Sequence, residues 1–168
     1  GAAMVASLAF RFAGACGSAS GAVVTWDTPC VPVALCLNAL VGGPVLTRFC
    51  WRFSRWSPLE GRVGGMLLAL SSAALLANAG VYVAQGMSVL TMGNYLVAAE
   101  QLVPTYGAMA TVFFLLAVAG VAVDALPLMR GRGISVASAA IASALVFAGI
   151  FVMRFAFYMM HMTYGISL

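Results

Sequence analysis

The chain has 168 residues, of which 64% are hydrophobic and 7% are charged, and its mean hydropathy is +1.07. Soluble domains carry about 25% charged residues, so this composition excludes an ordinary soluble fold. The net charge of +4 comes from eight arginines and no lysine, and these arginines cluster between the hydrophobic segments. The charge therefore indicates membrane orientation, and no nucleic-acid partner is expected.

Five hydrophobic segments follow one another along the chain, near the ~20 residues that a helix needs to cross a bilayer. They cover residues 1–16, 30–49, 62–85, 104–126 and 134–160. This pattern predicts an all-α fold, a polytopic transmembrane helical bundle forming a single domain over residues 1–168. Residues 86–103 form a predicted outer loop, which suits a short surface helix. Because the first segment is short for a span at ~1.5 Å per residue, we expect further chain before it.

The distribution of arginine predicts how the helices are oriented. Residues 48–62 contain four arginines and residues 128–133 contain two, whereas the other two loops contain none. Arginine-rich loops face the cytoplasm in most membrane proteins. The chain is therefore expected to end outside.

Polar side chains inside the predicted helices need partners, because a bilayer offers none. Asp124 lies within two turns of Arg130 and Arg132, which predicts a structural ion pair with one of them. Asn38 and Asn78 are predicted to form hydrogen bonds between helices.

A cluster of polar and aromatic side chains is predicted at the outer ends of the helices. Arg154, Tyr158 and His161 are spaced i, i+4, i+7 and so share one face of the last helix. The other members, at outer helix ends or in outer loops, are Arg11, Trp26, Glu100 and Tyr106. Donors beside flat apolar walls suit a polar ring held at the membrane edge. No P-loop, H-E-x-x-H or Ser/His/Asp set is present, and no metal site is expected.

Four sequence strings carry a resemblance to a known family. They are W-D-T-P at 26–29, G-G-P at 42–44, L-V-P-T-Y-G at 102–107 and R-F-A-F-Y-M-M-H-M-T-Y-G at 154–165. In order and spacing they resemble the membrane-anchor subunit of dimethyl sulfoxide reductase, and the last string is the most specific. One departure is Ala13, since members often carry Tyr two residues after the Arg that resembles Arg11.

The resemblance implies that these residues represent the fourth to eighth helices of an eight-helix anchor. Such anchors oxidise a membrane quinol, usually menaquinol, and pass electrons to an iron–sulfur subunit at the outer face. That subunit feeds a molybdopterin catalytic subunit during anaerobic respiration. The expected role is thus a non-catalytic membrane subunit of an oxidoreductase complex in the bacterial cytoplasmic (inner) membrane. Menaquinol would be its substrate, and no cofactor would be held by this protein.

The outer cluster would then border the quinol headgroup or hold the partner subunit. Within it His161 is the expected proton acceptor, because imidazole takes up a proton near neutral pH. Glu100 or Asp27 would pass that proton to water.

Two alternatives to this function stay open. One is a transporter or permease half, with the break at residues 42–44 and the intramembrane Asn side chains as its site. The other is a purely structural anchor whose quinol site lies elsewhere.

Overall fold

The computed structural model describes residues 30–53, 61–91, 104–131, 133 and 135–159. These residues form four helices, α1 (Cys30–Trp51), α2 (Arg62–Thr91), α3 (Tyr106–Met129) and α4 (Val136–Met159). Each helix is long and apolar enough to cross a membrane. The all-helical prediction is confirmed for the described part of the chain, whereas the first predicted segment, residues 1–16, lies outside it.

The helix α2 continues beyond its predicted end at Gln85 and reaches Thr91. Residues 86–91 therefore belong to this helix and not to the predicted outer loop. Inside a membrane, backbone N–H and C=O groups must bond within the helix, so Gly86 does not end it. The Ser88 hydroxyl donates a hydrogen bond of 2.9 Å to the Ala84 carbonyl, and Val89 is buried. The extra turn and a half thus belongs to the packed bundle.

The four helices form a ring in which each one packs antiparallel to its neighbours. The helix α1 lies against α2 and α4, and α3 lies against the same two helices. Contacts that join residue 38 to 78 and residue 41 to 71 establish the antiparallel pairing of α1 and α2. We call the end that carries Arg48, Arg62 and Arg130 the arginine-rich end, and the opposite end the far end.

The closest approach in the ring is between α3 and α4, where glycine replaces larger side chains. A Cβ atom added to Gly120 would lie 2.7 Å from Val146 Cγ2 and 2.8 Å from the Ala142 carbonyl oxygen. A Cβ added to Gly149 would lie 3.0 Å from the Phe113 carbonyl oxygen. Since lipid gives helices no hydrophobic reason to associate, such backbone-to-backbone packing is a main source of their stability.

Candidate functional site

A buried polar stripe runs along one face of α2. Its members, spaced by seven, four and three residues, are Ser71, Asn78, Tyr82 and Gln85. All four are buried. This spacing keeps them on a single helix face, which points into the ring.

Three of these side chains join α1 to α2 through hydrogen bonds. Asn78 Nδ2 donates to Asn38 Oδ1 at 2.7 Å, and Asn38 Nδ2 donates to the Tyr82 hydroxyl oxygen at 2.8 Å. Ser71 Oγ donates to the Val41 carbonyl at 2.7 Å. The predicted role of Asn38 and Asn78 in hydrogen bonding between helices is confirmed.

At the far end, α1, α2 and α4 enclose a narrow cleft directly beyond this network. It is lined by Val31, Ala34, Tyr82, Gln85, Met153, Arg154 and Phe157. We call it the Arg154 cleft. Its volume of about 10 Å³ is enough for about one water molecule and too small for an aromatic ring.

Arg154 is the cationic group of this cleft. It is half-buried, and its Cζ lies 6.0 Å from the centroid of the Phe157 ring. Its charge also interacts with the phenol groups of Tyr82 and Tyr158. In the part of the chain that the structure describes, no carboxylate lies within ion-pairing distance of Arg154. A cation in an apolar helix without an acidic partner suits a ligand with an electron-rich oxygen.

The structure separates two of the other predicted site residues from the cleft. The Tyr106 hydroxyl donates a hydrogen bond of 3.2 Å to the Tyr82 backbone carbonyl, and its ring packs against Gly86. Tyr158 is 57% exposed and makes an edge-on contact with the Phe157 ring at 5.5 Å. Of these two neighbours on one face of α4, Arg154 lines the cleft, whereas the Tyr158 ring is mostly exposed.

The remaining predicted site residues lie outside the described residues. They are Arg11, Trp26, Glu100 and His161. Their roles stay predictions.

Asp124 does not pair with Arg130, one of its two predicted partners. Its carboxylate pairs with Arg48 of α1, with 2.5 Å between Asp124 Oδ2 and Arg48 Nη1, and both side chains are almost fully buried. Arg130 follows the end of α3 and is exposed, whereas Asp124 faces the interior of the ring. Arg132, the other predicted partner, lies outside the described residues. Asp124 is therefore held at the arginine-rich end, away from the Arg154 cleft.

Gln85 and Tyr82 are the cleft residues that the sequence analysis missed. The signal that could have found them is their spacing from Asn78 by seven and four residues. Polar side chains that recur on one face of an otherwise apolar helix indicate a buried polar site in a membrane protein.

A second concave surface, a groove of about 360 Å³, lies between α2 and α3. Its lining is apolar apart from Ser72 and contains no ionisable side chain. It therefore offers little to orient a polar headgroup. Among the described residues there is also no group of three or more His, Cys, Asp or Glu that could hold a metal ion.

Comparisons with known proteins give a consistent result. The family model for the DMSO reductase anchor subunit (DmsC) matches residues 2–160. The sequence is 31% identical over 150 residues to the YnfH subunit of an anaerobic dimethyl sulfoxide reductase of Escherichia coli (strain K12), covering 87% of this protein and 50% of that one. It is 28% identical over 145 residues to the C subunit of anaerobic dimethyl sulfoxide reductase from the same organism, covering 86% and 50%. The chain thus spans about half the length of these relatives. No solved structure matches it significantly.

Proposed function

The chain belongs to the DMSO reductase anchor subunit family, and from this premise we propose that it anchors a molybdopterin oxidoreductase complex in the membrane and oxidises quinol for it. The observation that carries the proposal is the family match over residues 2–160, almost the whole chain. The four apolar helices agree with it, because they make the chain a multi-pass membrane protein.

The proposed reaction is the oxidation of menaquinol. The quinol loses two electrons and two protons and leaves as menaquinone. The electrons pass to an iron–sulfur subunit and then to a molybdopterin subunit, which reduces a terminal acceptor such as a sulfoxide. The part of the anchor itself is to hold the quinol oxygen, take up its protons and keep the headgroup within reach of the partner's cluster.

The orientation of the bundle supports docking of the partner at the far end. Arg48, Arg62 and Arg130 mark the opposite end, and clustered arginines favour the cytoplasmic side of a bacterial inner membrane. The far end, with the Arg154 cleft, then faces outward. A quinol held there would lie at the same membrane surface as the proposed iron–sulfur partner.

The site residues take their proposed roles from this arrangement. Arg154 donates hydrogen bonds to a quinol oxygen, because its guanidinium has no acidic partner among the described residues. His161 accepts a proton, and Glu100 passes it to water. The residues proposed to border the headgroup or the docked partner are Arg11, Trp26, Tyr106 and Tyr158.

The experiment that tests this proposal compares two electron donors with the intact complex. Quinol-dependent reduction of the terminal acceptor is measured beside reduction by an artificial donor that supplies the catalytic subunit directly. We expect His161→Ala to slow the quinol-dependent rate about 10²-fold or more, the usual contribution of a general base, and to leave the artificial-donor rate unchanged. If the wild type and His161→Ala had equal quinol-dependent rates, His161 would have no part in the mechanism. A wild-type complex that shows no quinol-dependent rate would refute quinol oxidation itself.

One observation favours a second candidate, a purely structural anchor. The Arg154 cleft is too small to admit a quinol ring, so a ring site could lie outside the described residues. This alternative would be supported if a quinone bound to the complex and only substitutions outside the Arg154 cleft abolished that binding.

The transporter alternative has less support. The helix α1 is continuous through residues 42–44, so it lacks the broken helix that such sites use. The Asn side chains also bond to each other and to Tyr82, which leaves little capacity for a transported solute. Co-purification with an iron–sulfur protein would distinguish the anchor from a transporter.

A further inference from the structure

We propose that Gln85 and Tyr82, together with Arg154, bind a single oxygen of the quinone headgroup in the Arg154 cleft. This inference rests on the proposed function and adds residues that the sequence did not indicate. The Gln85 side chain lines the cleft, is only 5% exposed, and forms no hydrogen bond within the described residues. An amide that lacks a hydrogen-bond partner in an apolar helix bundle is unfavourable, and an oxygen-bearing ligand in the cleft would supply that partner.

Tyr82 has a hydroxyl proton to offer this ligand. Its oxygen accepts a hydrogen bond of 2.8 Å from Asn38 Nδ2. Its own proton is donated to Asn38 Oδ1 in a longer hydrogen bond of 3.2 Å, and that oxygen also accepts from Asn78 Nδ2 at 2.7 Å. The network therefore holds the Tyr82 oxygen in place, and a ligand oxygen in the cleft would compete with Asn38 Oδ1 for the Tyr82 proton.

The three side chains make a site rich in donors. A guanidinium, an amide NH₂ and a phenol hydroxyl line the same cleft, and Asp124, the sole acidic residue in the described ranges, is bound to Arg48 at the other end. Such a site favours an oxygen that carries no proton, which is the carbonyl of a quinone or the oxygen of a deprotonated quinol.

The size of the cleft sets how the ligand enters. A space for about one water molecule admits one oxygen atom and not the ring that bears it. The ring would remain outside the cleft with a single carbonyl inserted. Only one of the two carbonyls should then be perturbed.

The test is infrared spectroscopy of ¹³C-carbonyl-labelled menadione bound to the intact complex, with binding measured on the same samples. In the wild type, one carbonyl stretching band should lie below that of free menadione, because hydrogen bonds weaken the C=O bond. In Gln85→Leu and Tyr82→Phe the band should move back toward the free value, and menadione should bind about 3- to 10-fold more weakly, the loss expected for one hydrogen bond.

The matched control is Thr111→Val on α3. The Thr111 hydroxyl is exposed and bonds to the Gly107 carbonyl of its own helix, away from the cleft. In Thr111→Val, the carbonyl stretching band of bound menadione and the affinity for menadione should equal those of the wild type. Unchanged bands in Gln85→Leu and Tyr82→Phe would overturn the inference and leave quinol oxidation intact. A wild-type complex that neither binds menadione nor oxidises its quinol would overturn both proposals. If Gln85→Leu fails to assemble, Tyr82→Phe decides, because it removes one oxygen atom only.

Discussion

At the scale of single residues, the ion pair between Arg48 and Asp124 is the most costly feature to break. It joins α1 to α3, which lie diagonally across the ring, and both side chains are at most 4% exposed. A charge buried in this way is stable only while its partner is present. The pair therefore ties together two helices that have few other contacts.

Removing one member of this pair should destabilise the bundle. Asp124→Asn removes the carboxylate that pairs with the buried Arg48 guanidinium, so we expect a loss of about 3–5 kcal/mol in the free energy of unfolding. Reversible unfolding in mixed detergent micelles measures this loss. The double variant Arg48→Met with Asp124→Leu should recover most of it, since neither charge remains.

The control for this experiment is Arg130→Gln, at an exposed position near the same end of the bundle. Surface substitutions of this kind usually change stability by less than about 0.5 kcal/mol. If Asp124→Asn were as stable as the control, the ion pair would have no structural role.

The same pair shows where sequence reasoning at the residue scale stops. Asp124 was correctly expected to be ion-paired, because a carboxylate in an apolar helix requires it. Its partner, however, is 76 residues away in the sequence and reaches it only through the ring of helices. Spacing along one helix indicates only ion-pair partners that are close in the sequence, such as Arg130. Gln85 shares the Asn78 face of α2, but the sequence does not show what that face meets, because the other two helices of the cleft are remote in sequence.

At the scale of helices, the α3–α4 contact depends on the absence of a side chain at Gly120. A Cβ there would meet backbone atoms of α4 at 2.8 Å and 3.1 Å, which cannot move without shifting the whole helix. Close helix contact of this kind is favoured by small residues in membranes. The glycine therefore fixes the distance between the two helices.

A methyl group at this position should push the helices apart. For Gly120→Ala we expect a loss of about 1–3 kcal/mol, the usual cost of overpacking, measured by the same unfolding assay. Gly80→Ala on α2 is the matched control, because nothing lies within 4 Å of a Cβ added there. That variant should be neutral or slightly more stable, since Ala favours helix more than Gly does. Equal losses in both variants would contradict the proposed role of close packing.

Hydropathy predicted the helices better than it predicted their ends. The second to fifth segments all correspond to observed helices, because long apolar runs in a bilayer have few alternatives to helix. The prediction ended α2 at Gln85 and assigned residues 86–103 to an outer loop. Packing of Val89 and the cost of unbonded backbone groups extend the helix instead.

At the scale of the whole molecule, the two ends of the helix bundle carry different polar residues. The arginine-rich end holds a closed ion pair, whereas the far end holds a cleft lined by the hydrogen-bond donors Tyr82, Gln85 and Arg154. The sequence predicted this asymmetry from arginine distribution, and the resemblance to anchor subunits is confirmed by the family match. Neither the arginine distribution nor the family resemblance predicts which helices meet at the cleft, because that depends on how the helices pack.

The cleft can serve an outer partner only if the far end of the bundle faces away from the cytoplasm. Cysteine labelling measures this orientation. In a variant whose native cysteines are replaced by serine, Gly133→Cys follows the arginine-rich end of α3, and Thr105→Cys lies at the far end; both positions are exposed. Because arginine-rich loops stay in the cytoplasm, a membrane-impermeant maleimide should label Thr105→Cys in intact spheroplasts and Gly133→Cys only after permeabilisation. Co-expression of the iron–sulfur partner should then reduce labelling at Thr105→Cys. The reverse labelling pattern would place the cleft in the cytoplasm and rule out the proposed outer docking.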